Sequence, residues 1–224
     1  MNSNRKSYSW QRVNCSYEKG LYMRIERVES LDKRKCKVFT DEDFAFLLYN
    51  GELEKYGVCE GAVLEERTER ELLDLLSRRA HERALNLLKV QDRTEGEMCR
   101  RLFQDGYPDS IVQETIGFLQ EYHFLDDARY AANYLQVHGK RKSQAELKLY
   151  LQRKGISREI IREQLEETEH DSGEAIRVLL EKKHYRAGET APEEEKKIIA
   201  YLMRRGFSWE DIRREMKEQE DALG

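Results

Sequence analysis

The chain has 224 residues, a net charge of −4, and 38% charged residues beside only two prolines. That length holds one large or two small domains, and that composition favours helix over turn-rich folds. A hydrophobic share of 39% suffices for small helical cores and excludes global disorder. No apolar run approaches the ~20 residues of a membrane span, and the N-terminus lacks a signal-peptide core, so a soluble cytoplasmic protein is expected. Cys15, Cys36, Cys59 and Cys99 form no CxxC and have no histidine at ligand spacing; they read as reduced, mostly packed thiols.

Residues 1–22 form a polar extension with Tyr8, Trp10, Tyr17 and Tyr22 among its charges. Residues 23–68 read as a small β-containing domain. Residues 23–29 alternate, a polar turn follows at Ser30–Arg34, and Lys35–Phe39 returns as the second arm of a hairpin. Phe44, Phe46, Leu47 and Leu48 lead to the turn pair Asn50-Gly51, and a third strand is expected at Ala62–Glu65. From Glu69 the leucines and alanines recur with helical period.

One phrase then occurs three times: Leu102 to Gly106-Tyr107, Leu151 to Gly155-Ile156, and Leu202 to Gly206-Phe207. The glycines are 49 and 51 residues apart. Self-similarity at one period marks a tandem-repeat architecture. Each phrase is the end of a helix closed by a glycine in the left-handed C′ conformation. Two of these helices open with a capping box, Thr94-Glu95-Gly96-Glu97 and Ser143-Gln144-Ala145-Glu146. The third opens with Thr190-Ala191-Pro192-Glu193, which puts proline in the first turn. Apolar residues before and after each phrase give two further helices per unit. The reading is a mainly α fold: three three-helix repeats, 69–125, 126–168 and 169–220, in an elongated array after the β-containing domain.

Catalysis finds no support. His81, His123, His138, His170 and His184 lie in no HExxH and beside no nucleophile, and no Walker or GxGxxG motif is present. Asp126-Asp127 reads as helix capping rather than metal or acid–base chemistry. No cofactor is expected. The cations are a better lead. Residues 140–165 carry eight basic side chains against three acidic, an island in an acidic protein. Arg153, Lys154, Arg204 and Arg205 end helices, where the dipole favours them. Arg93 and Lys140-Arg141-Lys142 precede helix starts, where the dipole opposes them, and a broken local rule points to function. With Lys148, these nine form the candidate surface for an anionic partner.

The run Ala84-Leu85-Asn86-Leu87-Leu88, Arg93 to Met98, Leu102, Gly106-Tyr107, Ile111 and Phe124 to Ala131 resembles the bacterial RecX regulatory proteins. Gly139 to Ser143, Leu147, Leu151, Lys154-Gly155-Ile156, Ile160, and Ile25-Glu26-Arg27 with Phe44-Ala45-Phe46 extend it over roughly residues 23–216. The resemblance implies tandem three-helix repeats and a non-enzymatic regulator. That regulator binds the RecA recombinase and its DNA filament and inhibits filament growth, ATP hydrolysis and strand exchange. A monomer with weak DNA affinity and no membrane contact is expected. The alternative is a helical-repeat module that binds nucleic acid by itself.

Overall fold

Alternating burial builds the N-terminal sheet in this computed structural model, which describes residues 23–41, 45–168 and 172–221. Strands β1 (Ile25–Ser30), β2 (Lys35–Thr40) and β3 (Ala45–Tyr49) lie in that order, antiparallel, with Val28 opposite Val38 and Val38 opposite Phe46. One face buries Ile25, Cys36, Val38, Phe46 and Leu48. The other carries Phe39 beneath the Arg27 guanidinium and the Lys37 ammonium, 4.2 and 4.7 Å from its ring centre. Asp32 closes the β1–β2 turn by accepting from the Arg34 and Lys35 amides at 2.7 and 2.9 Å, and the Arg34 bond holds its carboxyl below the usual range. Helix α1 (Asn50–Tyr56) follows and stops at Gly57, φ 63°.

The third strand is therefore Ala45–Tyr49 and not Ala62–Glu65. Phe46 and Leu48 alternate with less buried neighbours as a sheet requires. Of the Ala62–Glu65 segment, only Val63 forms a bridge, with Arg24. Residues 1–22, with Cys15 and their aromatics, and Phe44 and His170 lie outside the described residues.

The rest is helical: α2 (Glu66–Leu88), α3 (Glu95–Gln104), α4 (Asp109–Glu121), α5 (Asp127–His138), α6 (Gln144–Lys154), α7 (Arg158–Glu167), α8 (Ser172–Lys182), α9 (Pro192–Arg204) and α10 (Trp209–Asp221). The chain divides into two units, one up to Leu72 and one from Leu73. The second holds three small cores. Ala84, Met98, Leu102, Val112, Ile116 and Leu119 join α2, α3 and α4. Ala131, Leu135, Leu147, Leu151 and Ile161 join α5, α6 and α7. Ile176, Leu180, Ile198, Leu202, Ile212 and Met216 join α8, α9 and α10. Each core supplies the burial that a ~12-residue helix lacks alone. Gly106, Gly155 and Gly206 have φ of 85°, 97° and 89°, the left-handed value a glycine C′ position takes.

The third middle helix opens differently from its expected cap. Ala191 occupies the cap position of α9 with no side-chain bond, and Pro192 is the first helical residue. Thr190 instead accepts from the Arg186 amide at 2.8 Å and closes the preceding turn. The residue twelve before Gly206 is Glu194, where Thr94 and Ser143 stand before Gly106 and Gly155. The helix starts about a turn earlier and swallows the cap position.

Candidate partner-binding surface

The repeats meet cap to cap. Thr94 starts α3: its Oγ1 accepts from the Glu97 amide at 3.2 Å, and the Glu97 carboxylate accepts from the Thr94 amide at 3.4 Å. The same hydroxyl donates to the Lys154 carbonyl at the end of α6, at 2.6 Å. The Lys154 ammonium returns to Glu97 at 2.6 Å, with both side chains about one-fifth exposed. That bond holds the Lys154 ammonium above its ordinary pKa. A Cβ on Gly96 would stand 3.0 Å from the Gly155 Cα and 3.2 Å from the Lys154 carbonyl oxygen, so a larger residue would press the two helix ends apart.

Ser143 and Arg205 build the same joint between repeats two and three. The Ser143 hydroxyl accepts from the Glu146 amide and donates to the Arg205 carbonyl. The Arg205 guanidinium grips Glu146 through Nε and Nη2 at 2.9 and 3.0 Å, which raises its pKa further. Thr94 and Ser143 are fully buried. In repeat one the residue before the glycine is Asp105, and it takes Arg83 of α2 at 2.6 Å and Arg101 at 3.4 Å. The charge order is reversed where no earlier repeat supplies a capping-box glutamate.

Of the nine candidate cations, Lys154 and Arg205 thus lock the joints. Lys140 pairs with Glu174 of α8 at 3.1 Å, and the Lys142 ammonium reaches the Tyr134 hydroxyl at 2.5 Å, over a Tyr134–Tyr150 stack 4.0 Å apart. These contacts offset what the dipole opposes at the start of α6. Arg93, Arg141, Lys148, Arg153 and Arg204 have no carboxylate partner among the described residues.

Docking α3 against α6 also creates an open basin of about 750 Å³, lined by Arg93, Arg100, Arg101, Arg153 and Lys154 together with Glu97. Sequence reading missed Arg100 and Arg101, which sit in mid-helix within an acidic stretch. Asp126 caps α5 by accepting from the Arg129 amide at 2.8 Å, as its motif suggested. Asp127 goes further and accepts from the Glu95 amide at 2.9 Å. Burial first, then the Asp127 charge, raises the Glu95 carboxyl, and burial raises that of Asp127 against the lowering bond from the Glu95 amide. Among the described residues no group of three His, Cys, Asp or Glu side chains converges as a metal site would require, and no helix is long and apolar enough to cross a membrane.

Three-helix units docked in series define a helical-repeat protein. Family descriptions match all three: "RecX, first three-helix domain" at residues 80–119, the second at 126–165 and the third at 171–216. The chain belongs to the RecX family of regulatory proteins. "Regulatory protein RecX" of Clostridium acetobutylicum is 27% identical over 87% of this chain and 95% of its own length. The protein of that name from Bacillus licheniformis is 28% identical over 84% of this chain and 73% of its own. Two solved RecX structures share the fold at 22% identity. One has a TM-score of 0.58 over 87% of this chain and 99% of its own, and that of Lactobacillus salivarius has 0.57 over 65% and 97%.

Proposed function

We propose that this chain regulates the RecA recombinase by binding the RecA–DNA filament, most directly by inhibiting its extension, ATP hydrolysis and strand exchange. Family membership supplies the regulatory role. The observation that carries the partner surface is the set of cations without a carboxylate partner among the described residues: Arg93, Arg141, Lys148, Arg153 and Arg204. Long charged side chains without a neutralising neighbour suit an acidic protein face or phosphates. The reading is of a cytoplasmic monomer that acts without catalysis of its own.

The test is RecA ATPase on single-stranded DNA, titrated with this protein. Inhibition is expected, and Arg141→Glu/Lys148→Glu/Arg153→Glu is expected to weaken it while the circular-dichroism melt is kept. Equal inhibition by that folded variant overturns the surface, and absence of any effect on RecA overturns the regulatory reading. The α3–α6 basin favours a second reading, nucleic-acid binding without RecA. It predicts an affinity that falls linearly with salt on logarithmic axes.

A further inference from the structure

We propose that the basin between α3 and α6 is a binding site for closely spaced phosphoryl groups. Five cations line it; Lys154 is paired with Glu97 at 2.6 Å and Arg101 with Asp105 at 3.4 Å, which leaves Arg93, Arg100 and Arg153 as the positive excess. Arg93 and Arg153 have no acidic partner among the described residues. Among the described residues Arg100 gives its guanidinium only to backbone carbonyls, those of Gly96 at 2.9 Å and Lys154 at 3.3 Å, and no carboxylate there compensates its charge.

The Nε–H groups of Arg93 and Arg101 are buried and have no acceptor. With those Nε–H groups enclosed, an oxyanion in the open basin meets the outer, exposed part of each guanidinium instead. Guanidinium forks match the oxygen spacing of phosphate and bind it with two parallel bonds. A lone carboxylate brings one charge to a site with a large positive excess, whereas linked phosphates bring several within a few ångströms. The chain as a whole is acidic, so the attraction is local to this site.

The basin reads charge and not base. Tyr150 is stacked on Tyr134 and flanked by the Lys142 and Lys154 ammonium groups at 5.4 and 5.5 Å, so its ring is engaged within the protein. The phosphates of a polynucleotide strand and those of a free polyphosphate share the chemistry the site offers.

The experiment uses the whole chain without RecA, so its outcome does not depend on the regulatory reading above. Sodium pyrophosphate is titrated by calorimetry and a labelled oligothymidylate by anisotropy, both at fixed ionic strength. Displacement of the oligonucleotide by pyrophosphate assigns the site to phosphates of either source; oligonucleotide binding without displacement assigns it to the polynucleotide. In both cases Arg93→Gln/Arg153→Gln, and Arg153→Gln alone as the milder change at an exposed side chain, lose affinity. The double variant loses at least tenfold, and Arg93→Lys/Arg153→Lys loses less. Arg213→Gln in α10 binds as the parent does. No binding of either ligand, unchanged affinity in Arg153→Gln and in the double variant, or equal binding of a hexaglutamate peptide overturns the proposal.

Discussion

The hydroxyl of Thr94 donates to the backbone carbonyl of Lys154 at 2.6 Å, across sixty residues of sequence. Because that hydroxyl also caps α3, helix initiation and repeat docking share one atom, and Ser143 repeats the arrangement on Arg205. Loss of a cap hydroxyl costs about 1 kcal/mol, and loss of its 2.6 Å bond to the Lys154 carbonyl, which keeps the Arg100 guanidinium at 3.3 Å, adds about 1–2 kcal/mol. Thr94→Ala is therefore expected to destabilise by about 2–3 kcal/mol in urea unfolding, and Thr94→Ser by less than about 1 kcal/mol. Equal losses would show that the methyl group, and not the hydroxyl, holds the joint.

Gly206 and Gly188 both have left-handed backbones, φ 89° and 74°, but different surroundings. A Cβ on Gly188 meets nothing within 4 Å, while one on Gly206 lands 2.6 Å from the Ala145 Cβ across the second joint. Gly188→Ala should show only the conformational cost, about 1–2 kcal/mol. Gly206→Ala should cost clearly more, and Ala145→Gly in the same chain should recover part of the excess, since the Ser143 Oγ still lies 3.2 Å from the new Cβ and glycine weakens α6. Thermal melts of the three variants give the comparison. No recovery would place the cost inside repeat three.

The helical repeats were legible because their signals are local. A capping box, an i, i+4 apolar pair and a terminal glycine all fall within a dozen residues, and α3 and α6 open and close where those signals stand. The third strand was misplaced because Ala45–Tyr49 pairs with β2 through register and burial, which short-range pattern does not reveal. At the surface, the helix dipole gave a sufficient local account of Lys154 and Arg205. Their partners, Glu97 and Glu146, lie 57 and 59 residues away, so the joints stayed hidden. One signal was available: glutamate nine before the glycine of one repeat, a cation just before the glycine of the next, and each missing at one end of the array, where Lys197 and Asp105 stand. Arg100 and Arg101 carry no mark in the local sequence; only the fold brings Arg153 and Lys154 of α6 beside them.

Glu95 and Asp127 predict a pH dependence. Both carboxyls are about half buried, and both are raised above their ordinary values, Glu95 by burial and then by Asp127. The folded state thus binds protons at higher pH than the unfolded chain does. The ionised pair weakens the fold at neutral pH, and this weakening is relieved as pH falls through the raised values toward the ordinary carboxylate range. Glu95→Gln keeps an oxygen to accept from Gln120, which bonds Glu95 at 2.9 Å, and removes the repulsion. The variant should melt higher than the parent at pH 7, by a few degrees at most, with the difference shrinking toward pH 4. A gap that widens on acidification would reverse the assignment.

The same carboxyls bear on Cys99, which packs into the first repeat's core. Burial, followed by the Glu95 and Asp109 charges, pushes its thiol up to about 11. At pH 8 only about one Cys99 in a thousand is then a thiolate, the form that alkylates. Cys36 is buried too, its thiol toward the Asn50 side-chain oxygen at 3.5 Å, whereas Cys59 is exposed. Iodoacetamide at pH 8 should label Cys59 within minutes and spare Cys36 and Cys99 until denaturant is added, as read by peptide mass mapping. Glu95→Gln removes one of the charges that disfavour the thiolate and should speed Cys99 labelling modestly, without touching Cys36. Labelling of Cys99 in the folded parent as fast as Cys59 would mean that the first repeat opens readily, since neither its burial nor its acidity permits that rate in the closed core.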